Sequence, residues 1–390
     1  PQCLRALVLG GMALLNAPAL QLPARADTEP AKAQQYIIPP ALKDLGRNYK
    51  VRLVYFVPTD KEIKPQYREK IEVLMRVVAD VYRRDLTNKG HNTRGLDFEF
   101  DNKGQLKVHL LRGKHPAKHY TGDPPTSDRL FQSTSAEMIG TIGYPLRRAC
   151  LIFSEAGGIA EATPAHPYCG VAMVSGDMLR DKITAPTIEK HIRNMFDETP
   201  VKNADGKDGE HRNREIQISN GVLLHELGHI FYMLHDQRDQ RCIMAYGYHN
   251  LRLLFQKQQA NKQPVRFSPA HARMAAGTRY FSEAFNEQDT TVPQVKFQFA
   301  RPPQPGDKEI HFSLKAMDNE GLHAVIYYES TLDSLVDGEK LEGKQTDKKG
   351  VLNRRVPIRP GQLVHYRIYL MDVNGNVGTA ELSHRVSAEK

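Results

Sequence analysis

His225 and His229 stand four residues apart, with Glu226 between them, in the run Leu223-Leu224-His225-Glu226-Leu227-Gly228-His229-Ile230-Phe231. On a helix, side chains four apart share one face, about one turn from each other. Both imidazoles can then bind a single metal ion. Glu226 can reach water held on that ion and take its proton, which is the chemistry of hydrolysis. Further groups of the same kind follow closely: His235, Asp236, and the stretch Cys242-Ile243-Met244-Ala245-Tyr246.

These residues need a helix and a turn to hold them. Leu223, Leu224, Leu227, Ile230, Phe231 and Leu234 recur with helical period and leave the 225/229 edge free. Ser219 or Asn220 is the expected N-cap of that helix. His235 falls six residues after His229, just beyond the expected helix end.

The set resembles the metzincin clan of zinc endopeptidases. Their long motif is H-E-x-x-H-x-x-G-x-x-H, with a methionine turn beneath the metal. Asp236 after the third histidine, and the Cys-Ile-Met spelling, resemble the adamalysin (reprolysin) side of the clan. Tyr246, two residues after Met244, is similar to the astacin and serralysin pattern. The resemblance implies one Zn2+ ion on His225, His229 and His235, with Glu226 as general base. It implies Tyr246 as a partner of the oxyanion and Met244 as an apolar floor that does not bind the metal. Tyr232 departs from the motif, because it replaces a glycine that leaves the helix with positive φ. Keeping that geometry costs a tyrosine about 1–3 kcal/mol. A rearranged exit would instead make Asp236 the third ligand. No glutamate occurs between Ile230 and Ser282, so a thermolysin-like third ligand is not expected.

The same resemblance implies an α+β fold for residues 49–287, a twisted mixed sheet with long helices. It makes Gly170, Val171, Ala172, Met173 and Val174 an edge strand that pairs with an extended substrate. Pattern alone predicts strands at 51–57 and 149–153, a helix over 65–86, and a hairpin of 96–100 with 106–110. Ser268 and Pro269 should open a helix that runs to about Phe285. Residues 179–218 read as a charged insert. Within it, Asn203 to Glu210 could hold a structural Ca2+, although a solvated loop explains the composition better. His115 and His119 read as loop residues.

From Thr291 the texture changes to short alternating runs separated by prolines and Asp/Asn/Gly turns. Residues 292–390 are expected to form an immunoglobulin- or fibronectin-like β-sandwich, with no catalytic constellation and an unknown ligand. Residues 1–26 read as a signal peptide and 27–48 as a linker or short pro-segment, which implies a secreted or periplasmic protein with no stable membrane span. Removing residues 1–26 takes Arg5 and Arg25 and no acid, so the formal charge falls from +9 to +7. That scattered excess carries no nucleic-acid motif, and a protein or peptide substrate is the expected partner. Cys150, Cys169 and Cys242 allow at most one internal disulfide in the exported chain. The alternatives to a peptidase are a catalytically inactive metal-binding relative and a surface-binding protein acting through the sandwich.

Overall fold

A computed structural model describes residues 38–91, 95–163, 169–179, 184–202, 206–255 and 265–388. The expected signal peptide, residues 27–37 of the linker, and residues 203–205 of the calcium candidate lie outside the described residues.

The first half runs β1 (Lys50–Val57), α1 (Tyr67–Asn88), β2 (Val108–Arg112), α2 (Ala117–Thr121), α3 (Ser127–Ile142), β3 (Arg148–Ser154), β4 (Ala160–Ala162) and β5 (Cys169–Ser175). Then come α4 (Ile188–Asn194), β6 (Pro200–Lys202), β7 (Asp208–His211), α5 (Arg212–Ile230), α6 (Arg252–Phe255) and α7 (Pro269–Gly277). One sheet has the order β2-β1-β3-β5-β4, parallel except for β4. Its strands are apolar on both faces because helices cover both. Leu53, Tyr55, Leu151 and Phe153 face a core shared with α1 and α5. Val54, Phe56 and Ile152 face α2 and α3 through Tyr120, Leu130 and Phe131.

The second half contributes β8 (Gln294–Phe299), β9 (Glu309–Met317), β10 (Leu322–Glu329), β11 (Ser334–Lys340), β12 (Gln345–Asn353), β13 (Leu363–Asp372) and β14 (Val377–Arg385). They form sheets of order β11-β10-β13-β14 and β12-β9-β8. β10 shows the period of two that a strand imposes. Val325 and Tyr327 face the core between these sheets. Ala324 and Ile326, with Leu335, Tyr369 and Met371, instead join the main core of the first half. Among the described residues, no helix is long and apolar enough to cross a membrane.

Several expectations are corrected. Residues 96–100 make only bridges, Val51 with Phe98 and Phe100 with Leu106, instead of a full hairpin strand. The buried Asp97 carboxylate accepts from the backbone N–H groups of Leu45, Arg47 and Phe98, and β2 takes over the β1 edge from Leu53 onward. The charged insert is largely folded, and α5 already begins at Arg212. Asn220 is therefore mid-helix rather than a cap, with its amide bonded to Ile216 O and to His191 Nε2 of α4. Ser219 is likewise inside α5. Ser268 does cap α7, accepting from His271 N, but that helix stops at Gly277, well short of Phe285. Cys150, Cys169 and Cys242 are buried, and no disulfide joins them.

The sheet edge is also corrected. Gly170 to Val174 lie in β5, which is enclosed between β3 and β4. The edge strands, among the described residues, are β2 and β4, and the edge next to β5 is β4, which pairs antiparallel to β5 from Ala160 opposite Val174 to Ala162 opposite Ala172.

Candidate metal centre

The helix α5 presents His225 and His229 on one face, as their spacing requires. Its end is closed by two bonds, Tyr232 N to His229 O at 3.2 Å and Met233 N to Gly228 O at 2.9 Å. These are the paired bonds of a Schellman ending, in which the residue after the cap is left-handed. Here that residue is Tyr232, with φ 60°. The sharp exit is thus kept with a tyrosine in place of the glycine, and it returns the chain so that His235 faces the helix.

His225, His229 and His235 bring one nitrogen each within 4.8 Å of one another. Their ring centroids are 4.8 to 5.2 Å apart. Each Nδ1 has an acceptor: Ile243 O for His225 and Met233 O for His229, both at 2.9 Å, and Asp333 Oδ2 for His235 at 2.7 Å. A proton on Nδ1 leaves the lone pair on Nε2. The Nε2 atoms of His225 and His229 face each other at 3.1 Å. Neutral imidazoles with converging lone pairs repel unless a cation lies between them, so the donor set fits a metal ion. Burial, with His235 nearby, pushes His225 down to about 3, and burial and the other histidines push His229 well below its ordinary value. Neutral imidazole is the form that binds metal.

Asp236, the other candidate third ligand, turns away. It gathers with Cys242 and His271 in a separate buried group, and its N–H bonds Met244 O. The structure therefore brings His235, not Asp236, to the histidine pair.

Glu226 is only 6% exposed. Burial and the Glu161 carboxylate on β4 push it up to about 8. Burial raises the proton affinity of this carboxyl, whereas a nearby cation would favour its ionised form.

Met244 lies beneath α5. A Cβ on Gly228 would come 2.6 Å from its Sδ, so the absence of a side chain at 228 lets the turn approach. Tyr246 is 45% exposed, and its ring meets His249. The tyrosine against the histidines is Tyr248, whose ring centroid is 5.5 Å from that of His225. Burial and Glu226 raise its hydroxyl pKa. Reading the motif did not single out Tyr248 or Asp333. The helical glycines 221 and 228 were a usable signal for the first, because a Cβ on Gly221 would come 2.4 Å from Tyr248 O.

Another acidic group, Asp289, Asp318 and Asp372, sits where the two halves join. Asn374 and Asn376 donate to Asp289 and Asp372, and backbone N–H groups donate to Asp318 Oδ1. Of the calcium candidate at 203–210, the described residues are 206–210, and Asp208 to Glu210 belong to β7.

No protein-family model matches the chain, and no curated protein does. Among solved structures, it is similar to catalytically inactive OgpA from Akkermansia muciniphila in complex with an O-glycopeptide (glycodrosocin) substrate. That match has 15% identity and a TM-score of 0.57, and covers 91% of this chain and 99% of that one. Wild-type OgpA from the same organism matches with 16% identity, a TM-score of 0.57 and the same coverage. The likeness is one of fold, and it spans both halves of this chain.

Proposed function

We propose that this chain is a zinc-dependent peptidase whose substrates are O-glycosylated peptides. One observation carries the proposal. Three imidazoles are anchored through Nδ1 and bring one nitrogen each within 4.8 Å of one another, with the buried Glu226 next to His225 in the chain. An all-histidine set of three suits catalytic zinc. Bound there, zinc supplies a Lewis acid that acidifies water and polarises a carbonyl.

The chain's own groups do the rest. His225, His229 and His235 would hold the ion through the ring nitrogens left free by their Nδ1 hydrogen bonds. Glu226 takes the proton of the attacking water on its carboxylate and hands it to the departing amine. Tyr248, packed on His225, takes the oxyanion-donor role that the motif suggested for Tyr246. The open side of β4 offers backbone groups to an extended peptide, with Glu161 on the strand beside Glu226. The likeness to OgpA, crystallised with an O-glycopeptide, supports the substrate class. The adamalysin resemblance rests on the motif residues alone.

The test uses the full chain and its Glu226→Gln variant, each with zinc content measured. Both are offered one peptide sequence with and without an O-linked glycan. The parent should cut the glycosylated peptide. Glu226→Gln should keep its zinc and lose about 10²–10⁴-fold in rate. Equal cutting of both peptides would remove the glycan from the proposal. Zinc without cutting would favour an inactive metal-binding relative. Absence of zinc from the parent would overturn the proposal and leave the sandwich as the functional surface.

A further inference from the structure

The acceptors behind the three histidines differ in kind and in origin. His225 and His229 are held by backbone carbonyls of the first half. His235 is held by a carboxylate from the second half, ninety-eight residues on in sequence. We propose that the turn between β10 and β11 completes the metal centre, with Asp333 as the residue that positions His235. This rests on the reading of the three histidines as a zinc site.

The turn is built for that contact. After the short 3-10 turn Ser330–Leu332, Asp333 adopts a left-handed conformation with φ 46°. Aspartate tolerates this region better than most residues, and here it aims the carboxylate back at the first half. Oδ2 accepts from His235 Nδ1 at 2.7 Å. Oδ1 accepts from the Tyr328 hydroxyl of β10, so both oxygens are held. The backbone is docked on the same residues: Leu335 N donates to His235 O at 2.8 Å, and Ser334 bridges Asp236. Leu335 anchors the turn in the main core.

A carboxylate acceptor does two things that a carbonyl does less well. Its charge makes the hydrogen bond stronger and fixes the ring plane. It also makes the opposite nitrogen a better electron donor to a metal. His235 needs this more than its companions. They ride on a helix, whereas His235 lies on the exit segment beyond it. The sandwich is then part of the metal centre instead of an appended module.

The experiment measures zinc affinity of the full chain by competition with a chromogenic chelator. Parent, His235→Ala, Asp333→Asn, Asp333→Ala, Tyr328→Phe and Glu339→Gln are compared. Asp333→Asn keeps an acceptor and tolerates the left-handed backbone but removes the charge. Asp333→Ala removes the acceptor as well. Affinity should fall in the order parent, Asn, Ala, with about a 10–100-fold loss at Asp333→Ala. Tyr328→Phe should lose less, in the same direction. Glu339 of β11 is the control, because its carboxylate pairs with Tyr327 of β10 and Lys348 of β12 instead of His235. Its Gln variant should bind zinc like the parent. Unchanged affinity in the two Asp333 variants overturns the inference while leaving the zinc site standing. Unchanged affinity in Tyr328→Phe overturns it if the Asp333 variants do not fold. An equal loss in Glu339→Gln also overturns it, because the effect would then be general loosening of the sandwich. A parent that binds no zinc, or that binds it as well after His235→Ala, fails the underlying reading instead.

Discussion

Tyr232 holds a backbone conformation that a glycine would adopt without strain, and it does so at the exit toward His235. The left-handed geometry costs a bulky residue about 1–3 kcal/mol. Against this, the ring is buried in the main core. Emptying a buried aromatic site costs about 3–5 kcal/mol. Glycine also frees the unfolded chain, which costs up to about 1 kcal/mol more. Burial should win. Tyr232→Gly is expected to lower stability by about 1–3 kcal/mol in urea titrations of metal-free protein, even though it restores the motif's own residue. A gain in stability would show that strain, not packing, dominates at this position.

Between elements, what matters is how closely α5 meets the segment that follows it. Gly221 and Gly228 are seven apart, two turns along one face. At Gly221 an added Cβ meets backbone, Tyr248 O at 2.4 Å, while at Gly228 it meets the thioether of Met244. Alanine gains about 1 kcal/mol of helix propensity at either position. Overpacking costs about 1–3 kcal/mol, and least where a flexible side chain can yield. Gly228→Ala should therefore be close to neutral. Gly221→Ala should be destabilised by about 1–2 kcal/mol. It should also lose peptidase rate at unchanged zinc content, because it pushes Tyr248 off His225. Equal behaviour of the two variants in paired melts and rates would disprove this account. The same elements show what sequence could tell. His225, Glu226 and His229 were legible because their relation is local, four residues on a helix. His235 was legible only through resemblance, and its preference over Asp236 depended on how Tyr232 turned. Tyr248 and Asp333 were hidden because their contacts are tertiary. The start of α5 at Arg212 was hidden by a charged stretch without apolar period. β5 looked like an edge because β4, with three residues, is too short to show a pattern.

At the scale of the whole molecule, the two halves share a core. Ala324, Ile326, Leu335, Tyr369 and Met371 of the sandwich pack in one cluster with Phe267, Ala272 and Met274 from the α7 region. Arg279 ties the seam from inside. Its buried guanidinium donates to Asn374 O at 2.8 Å, to Asp289 O at 2.7 Å and to the Tyr49 hydroxyl at 3.0 Å. The texture change near Thr291 suggests a boundary at which a peptidase could be cut free. The packing argues otherwise, because a chain ending there exposes that apolar face and leaves Arg279 without its Asn374 acceptor. Each large apolar side chain returned to water costs about 1.5–3 kcal/mol, and an abandoned buried acceptor or donor about 1–3 more. Several such losses reach the whole stability of an ordinary domain, about 5–15 kcal/mol. The full chain should accordingly unfold in one calorimetric transition, and a chain ending at Thr290 should neither fold cooperatively nor retain zinc. Two resolved transitions in the full chain, or a truncated chain with the parent's melting temperature and zinc content, would show that the shared core does not couple the halves.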